Sequence, residues 1–171
     1  GIRYRVYQWE QELFDGSVTT FERIGRNDST QIFYCEKNTL LILKEEQPWR
    51  GTFYGLPGGQ VETGEKPKVA AERECIEETG LRVKTKCIHT NEHSGSERTT
   101  YYYKVISGQR IHDQDLDAGE KISCLWKTYD EVKDLVLQDI VRNTYFSRKF
   151  LIYDSLTKNG SLDGFLDWFA S

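Results

Sequence analysis

The sequence predicts an α/β sandwich, in which helices pack on a mixed β-sheet. A helix-forming stretch at 66–79 follows several segments rich in β-branched and aromatic residues, and more such segments come after it. The end of the chain, 128–171, has the periodicity of helices. A chain of 171 residues is long enough to bury the core of one domain. We therefore predict a single domain over 1–171.

Before the central helix, strands are predicted from their composition and from the turns between them. The run 40–43 is apolar throughout, which is typical of a strand buried on both faces. Asp15-Gly16 is a common hairpin turn, so the two segments beside it are predicted to pair. The predicted elements are strands 3–9 and 18–24, a second hairpin of 31–35 and 39–43, a charged loop at 44–50 that contains Pro48, and a strand at 53–57.

Three further strands and three helices are predicted after the central helix. Side chains alternate along a strand, so Tyr101 and Tyr103 share one face and Tyr102 lies on the other. Ser107-Gly108 is predicted to end this strand. The predicted elements are strands 82–90, 99–106 and 122–126, a polar loop at 91–98, an acidic loop at 112–121, and helices 130–137, 140–156 and 162–169.

The central helix carries the residues with the strongest chemical signal. Pro67 suits the first turn of a helix, and Gly80 suits the left-handed residue that ends one. Glu74 lies three residues before Glu77 and four before Glu78, so three carboxylates repel each other on one ridge. Such a cluster of hard oxygen ligands suits Mg²⁺ or Mn²⁺, and Mg²⁺ usually shares its coordination with substrate phosphates. The alternative is a solvated acidic face.

The residues around this helix form a longer pattern. Gly58 and Gly59 allow close approach of the backbone before the helix, and specified residue types then recur up to Leu81. The pattern resembles the Nudix box over its whole length. Cys75 replaces the larger aliphatic residue that the family prefers, and a buried cysteine keeps the packing role. The matching string is Gly59-x5-Glu65-x7-Arg73-Glu74-Cys75-x-Glu77-Glu78-x-Gly80-Leu81.

The resemblance implies a Nudix-type α/β/α sandwich and a hydrolase that cleaves a nucleoside diphosphate linked to another group. It also implies a Mg²⁺ or Mn²⁺ cofactor, which would neutralise phosphate charge and template the attack of water. The implied site residues are Glu74, Glu77 and Glu78 as metal ligands, a carbonyl of Gly58 or Gly59 as a further ligand, Arg73 and Glu65 as groups that orient the ligands, and Gly80 as the end of the helix.

Segments on both sides of the box are similar to the ADP-ribose pyrophosphatase branch of the family. The similarity includes 18–24 and 117–122, and it implies that ADP-ribose is hydrolysed to AMP and ribose 5-phosphate. It also implies a homodimer built with strands in 1–25, and a mobile acidic loop that brings Glu120 over the substrate. Glu120 and Glu77 are the two candidates for the general base. The alternative for the loop is a solvated acidic turn.

Two other functions stay open at this point. The branch commonly has a proline in the loop after the box, and 92–97 has none, so the alternative enzyme is a nucleoside triphosphate pyrophosphohydrolase with a housecleaning role. A ligand-binding regulator built on an inactive Nudix fold belongs to a different class. Such proteins usually lose carboxylates of the box, whereas this chain has all of them. The sequence therefore favours an enzyme.

Three residues outside the box are candidates for contacts with a nucleotide substrate. The ring of Trp9 can stack on a base, and the alternative is that it packs within the hairpin or a dimer contact. Arg50 has the fork geometry that suits a phosphate, and the alternative is a solvated loop residue. Arg98, at the end of the polar loop, is the third candidate.

The bulk composition bounds the class of protein. A net charge of −4 and a pI near 5.5 argue against broad binding to nucleic acid. The mean hydropathy is −0.65, and no apolar run has the length of a membrane span or signal peptide. We therefore predict a cytoplasmic protein that does not bind membranes. Its four widely spaced cysteines are predicted to be reduced core residues rather than disulfides or metal ligands: Cys35, Cys75, Cys87 and Cys124.

Overall fold

A computed structural model describes residues 4–49, 51–116 and 118–171. Its sheets contain both parallel and antiparallel pairs and are accompanied by helices, so the predicted mixed α/β fold is confirmed. The strands are β1 (Arg5–Glu12), β2 (Val18–Gly25), β3 (Ser29–Phe33), β4 (Cys35–Glu36), β5 (Thr39–Gln47), β6 (Gly51–Gly55), β7 (Leu81–Glu92), β8 (Ser96–Glu97), β9 (Thr99–Arg110) and β10 (Lys121–Lys127). The helices are α1 (Pro67–Thr79), α2 (Tyr129–Leu137), α3 (Thr144–Leu156) and α4 (Leu162–Phe169).

The strands present alternate side chains to two hydrophobic clusters, one on each face. Tyr102 and Tyr103 point to different clusters, as their alternation predicts. Because α1 packs on one face and the other helices on the opposite face, the predicted α/β/α layering is confirmed. The cluster under α1 contains Ile32, Tyr34, Leu41, Ala71, Cys75, Val83 and Tyr103, and the opposite cluster contains Phe33, Leu40, Ile42, Tyr102 and the buried residues of α2, α3 and α4.

The predicted pairing of 31–35 with 39–43 as a hairpin is wrong for most of its residues. Only the two residues of β4 pair with β5, whereas β3 pairs in parallel with β9 in another sheet. Ile32 and Phe33 are both fully buried, one in each cluster. A strand buried on both faces is favoured in the interior of the sandwich, and local sequence does not reveal its partner.

The charged loop predicted at 44–50 is mostly strand. Residues 40–43 are buried on both faces as predicted, and β5 then continues to Gln47. This continuation pairs with β6 on one edge and with β10 on the other. Backbone hydrogen bonds on both edges therefore hold a charged segment in the sheet, because backbone pairing does not depend on the polarity of the side chains.

Two other predicted boundaries differ in the structure. Strand β9 continues past Ser107-Gly108 to Arg110, because it pairs with β7 along its whole length. Gly108 fits there since the Tyr34 hydroxyl occupies the space of a side chain. Helix α3 begins at Thr144 rather than at 140, because Asn143 caps it by accepting a hydrogen bond from Phe146 N–H.

The N-terminal hairpin of β1 and β2 projects from the sandwich. Its pairing around Asp15-Gly16 is as predicted, and β2 joins the domain through the short parallel strand β8. The predicted start of the first strand, Arg3, lies outside the described residues. Many apolar side chains of this hairpin are exposed: Tyr4, Val6, Tyr7, Trp9, Leu13, Phe14, Val18, Phe21 and Ile24.

All four cysteines are free, but they differ in burial. Cys75 is buried, Cys35 and Cys124 are partly buried, and burial raises the pKa of the Cys35 thiol to about 12. The prediction of a core residue is wrong for Cys87, which is exposed on β7. Over the three described ranges, no helix combines the length and hydropathy that a membrane span requires.

Candidate active site

Helix α1 is held at its C-terminal end by a glycine and on its inner face by small residues. Its bounds match the predicted 66–79, and Pro67 occupies the first turn. Gly80 has φ 69° and donates to the carbonyl of Ile76, and any side chain at 80 would meet the carbonyl of His112. Cys75 is buried against the sheet, in the packing role that the sequence predicts.

The glycine loop before the helix lies directly against the acidic ridge. Gly58 N–H donates to Glu78 Oε2 at 2.8 Å. The Glu74 carboxylate occupies the space that a side chain at Gly59 would need. Gly58 itself has φ 139° and lies against the carbonyl of Thr30, so a side chain is excluded there as well. Close contacts therefore exclude a side chain at both glycines. At Gly59 the contact is with Glu74, a predicted metal ligand.

Arg73 binds three carboxylates of the box, those of Glu65, Glu74 and Glu77. Its Nε donates to Glu65 Oε1 at 3.0 Å and its Nη2 to Glu65 Oε2 at 3.1 Å. Its Nη1 donates to Glu74 at 3.0 Å and to Glu77 at 2.9 Å, and Nη2 also reaches the carbonyl of Gln60. The guanidinium thus connects the loop, the start of the helix and the acidic ridge, which is the contact pattern expected of a group that orients ligands.

Burial and charge act in opposite directions on these carboxylates. Burial raises the pKa of Glu78 well above its ordinary value, although the Gly58 N–H acts against this. Burial also raises the pKa of Glu74, with partial compensation from Arg73. Hydrogen bonds from Arg73 lower the pKa of Glu65. Ionising Glu74 and Glu78 together is therefore unfavourable without further positive charge at this position.

The donor set fits a hard divalent cation by its chemistry. Glu74 and Glu78 are partly buried beside the glycine loop, and among the described residues no hydrogen bond reaches the Gly58 carbonyl oxygen. The Gly59 carbonyl, in contrast, accepts from Thr30 N–H at 2.9 Å. Gly58 is therefore the better candidate for the predicted carbonyl ligand. Within the described ranges, no three acidic, histidine or cysteine side chains already surround one point.

The acidic loop between β9 and β10 is tied to the end of α1. The side-chain amide of Gln114 donates to the carbonyl of Glu78, and Asp115 N–H donates to the carbonyl of Glu77 at 2.9 Å. Glu120 is exposed at the end of this loop, and its charge contributes to the raised pKa of both Glu74 and Glu78. The structure thus brings the loop to the box. Asp117, another acid of this loop, lies outside the described residues.

The segment with the glycine loop, the acidic helix and most of the sandwich is similar to a known family of domains. A profile of the NUDIX domain matches residues 26–150. The chain belongs to the NUDIX family. The matched range contains the whole box, the acidic loop and most of the sandwich, and it leaves out the N-terminal hairpin.

This NUDIX chain is similar to one curated protein and to two solved structures. An ADP-ribose pyrophosphatase from Methanocaldococcus jannaschii is 45% identical over 86 residues, which are 50% of this chain and 41% of that protein. The chain therefore matches less than half of this relative's length. A solved structure described as an ADP compounds hydrolase has a TM-score of 0.59 at 20% identity and covers 78% of this chain and 75% of its own. A NUDIX hydrolase from Nitrosomonas europaea has a TM-score of 0.58 at 22% identity, with coverages of 80% and 93%. These two solved structures have the same fold as this chain.

The structure describes two of the three residues that the sequence predicts to contact a substrate. Trp9 is exposed on β1 and packs against Phe21 of the hairpin, and none of its contacts with other described residues involves the NUDIX box. Arg50 lies outside the described residues. Arg98 is partly buried near the start of β9. Sequence reasoning missed Gln114, because a glutamine in a loop has no spacing that relates it to the box.

Proposed function

We propose that this NUDIX protein is a Mg²⁺- or Mn²⁺-dependent hydrolase that cleaves ADP-ribose to AMP and ribose 5-phosphate. The observation that carries the proposal is the contact of Gly58 and Gly59 with the carboxylates of Glu78 and Glu74. These contacts place partly buried carboxylates, which are hard oxygen ligands, beside a loop that a phosphate can approach closely. The similarity to an ADP-ribose pyrophosphatase over half of the chain supports the choice of substrate.

The reaction is the attack of water on one phosphorus of the diphosphate. The bond from that phosphorus to the bridging oxygen breaks, and each phosphate leaves as a monoester. A bound divalent cation would neutralise phosphate charge and help to deprotonate the water. Glu74 and Glu78, with the Gly58 carbonyl, would hold this cation. Arg73 keeps Glu74 and Glu77 in place through its hydrogen bonds.

The water must lose a proton, and we assign its acceptor to Glu120. The Glu77 carboxylate is already engaged by the Arg73 guanidinium at 2.9 Å. Glu120 is exposed, and Gly119 beside it has φ 100° with open space around it, so the segment can adjust to a bound substrate. Gln114 and Asp115 hold the other part of the loop on α1.

The substrate assignment predicts a specific order of reactivity. With Mg²⁺, ADP-ribose should be hydrolysed with a higher kcat/KM than any nucleoside triphosphate, and a chelator should abolish turnover until metal is restored. Chromatography of the products from a panel of both substrate classes is the measurement. Release of pyrophosphate from a triphosphate as the fastest reaction would contradict the assignment and favour a housecleaning pyrophosphohydrolase.

We also propose that the chain is a homodimer that buries its N-terminal hairpin. Val6 and Ile24 are cross-strand neighbours on this hairpin and are 62% and 50% exposed, which is unfavourable for an isolated strand pair. Val6→Lys should therefore convert the dimer to a monomer at micromolar concentration, as measured by light scattering. Ile106→Lys, at an equally exposed position on β9, is the control and should leave the mass unchanged. A monomeric parent protein would contradict the proposal.

A further inference from the structure

Two arginines meet where the N-terminal hairpin joins the domain. Gly25 of β2 is paired in parallel with Glu97 of β8, and Arg26 N–H donates to the Glu97 carbonyl at 3.2 Å. One residue beyond this pair in each of the two segments, Arg26 lies beside Arg98. The parallel register thus places two guanidinium-bearing residues next to each other, immediately before β3 and β9.

A third arginine reaches the same region from the helical layer. Arg142 N–H donates to the carbonyl of Tyr54 at 2.7 Å, and the next residue, Asn143, is the N-cap of α3. The Asn143 side chain donates to Gln31 at 3.2 Å and to the Tyr102 hydroxyl at 3.2 Å. Because Gln31 and Tyr102 are cross-strand partners on β3 and β9, the start of α3 lies over the strands that Arg26 and Arg98 precede.

The guanidinium groups of the three arginines differ in their surroundings, since those of Arg26 and Arg142 lie over the rings of Tyr4 and Phe53 at 5.1 and 5.2 Å from the ring centroids. Within the described part of the chain, none of the three forms an ion pair, and the buried Nε of Arg98 has no hydrogen-bond partner. Burial, then Arg26 and Arg142, lower the pKa of Arg98. Asp28 is nearby, but its Oδ1 already accepts from Thr99 N–H at 2.8 Å. A partly buried guanidinium without a partner is costly, so the group is suited to an anion.

The arginine group is also close to the NUDIX box. Asp28, two residues after Arg26, accepts from Val61 N–H of the box through its carbonyl at 2.9 Å. The partner of Arg142, Tyr54, lies on the strand that leads into Gly58. Four residues of chain separate Arg26 from Thr30, whose N–H donates to the Gly59 carbonyl, and four separate Tyr54 from Gly58, which corresponds to about 13 Å when the chain is extended. One substrate molecule can therefore span both positions.

We propose that Arg26, Arg98 and Arg142 bind a phosphomonoester that the substrate carries in addition to the diphosphate that is cleaved. This inference rests on the proposed function and narrows its substrate class to nucleoside diphosphate derivatives phosphorylated on one of their sugars. Guanidinium groups suit this role because they present several N–H donors in a fixed plane to phosphate oxygens. The N-terminus of α3 adds a favourable dipole on the same side.

The test compares ADP-ribose with ADP-ribose 2′-phosphate and ADP-ribose 1″-phosphate. One of the phosphorylated compounds should have a kcat/KM about 10- to 100-fold above that of ADP-ribose, as expected for charge-assisted hydrogen bonds. Arg98→Gln should remove this ratio, and Arg98→Lys should restore only part of it because the fork is lost. Arg82→Gln removes the same charge from the opposite, exposed end of β7 and should leave the ratio unchanged.

Other outcomes separate failure of this inference from failure of the proposed function. Equal kcat/KM values for the three compounds, or an equal loss on all of them in Arg98→Gln, would overturn the phosphomonoester site while leaving ADP-ribose hydrolysis intact. Inorganic phosphate could also stabilise the parent protein but not Arg98→Gln, while the three compounds are turned over equally. That result would assign the arginines to a free anion instead.

If no compound is hydrolysed, the proposed function fails. Calorimetric binding of adenosine 2′,5′-bisphosphate and ribose 1,5-bisphosphate against AMP then decides the inference, and equal affinities for all three would overturn it.

Discussion

Glu78→Gln is expected to lower kcat by about three orders of magnitude. Glu78 is partly buried beside the glycine loop, where Gly58 N–H donates a hydrogen bond to one oxygen of its carboxylate. Glutamine keeps the shape of the side chain and removes its charge, which the proposed cation requires. Metal-assisted stabilisation of phosphate charge amounts to several kcal/mol, and each 1.36 kcal/mol corresponds to about tenfold in rate. Steady-state kinetics on ADP-ribose with saturating Mg²⁺ is the measurement.

Glu72→Gln is the matched control for this substitution. Glu72 lies on the same helix, but its carboxylate accepts from Thr85 N–H and the Thr85 hydroxyl, away from the glycine loop. This variant should retain normal kcat. Mg²⁺ should raise the Tm of the parent protein and of Glu72→Gln more than that of Glu78→Gln. Unchanged turnover in Glu78→Gln would contradict the assignment of Glu78 as a ligand.

Glu78→Gln is also expected to change how the stability of the protein depends on pH. Because the folded-state pKa of Glu78 is raised, the folded state keeps this proton to higher pH than the unfolded state does. In the presence of a chelator, the free energy of unfolding should therefore fall as pH rises from the ordinary glutamate pKa through the raised value. Glu78→Gln should lack this decrease and have a Tm at pH 7 at least equal to that of the parent protein.

Glu120→Gln is expected to lower kcat by about 10²–10⁴-fold with little change in KM, the range for loss of a general base. The substitution keeps size and hydrogen-bonding capacity but cannot accept the proton from water. The position is exposed at the end of the acidic loop, so the Tm should stay unchanged. Product formation from ADP-ribose, together with a melting curve, is the measurement.

Asp115→Asn is the control in the same loop. Its side chain is exposed, and it is the backbone N–H of Asp115 that binds the end of α1, so the substitution should leave both kcat and Tm unchanged. If Glu120→Gln retains normal kcat and Glu77→Gln loses it, the general base lies in the box. Arg73 would then have to release Glu77 before the reaction, since the two side chains are joined at 2.9 Å.

The box helix and most strand positions could be predicted because their signals are local. Pro67 and Gly80 bound α1 through backbone preferences that need no tertiary contact. The spacing of Glu74, Glu77 and Glu78 follows from helix geometry alone. The alternation of Tyr102 and Tyr103 likewise follows from strand geometry, and it placed the two rings in different clusters as expected.

The sequence by itself therefore determined the α/β class, the box helix and the NUDIX family, since these depend on patterns within short stretches. Only the tertiary structure decided the partner of β3 and the extension of β5 to Gln47. The convergence of Arg26, Arg98 and Arg142 was also decided there, because each arginine belongs to a different segment. Hydrogen bonds and packing between residues distant in sequence set these features, and such contacts leave no periodic signal in the chain.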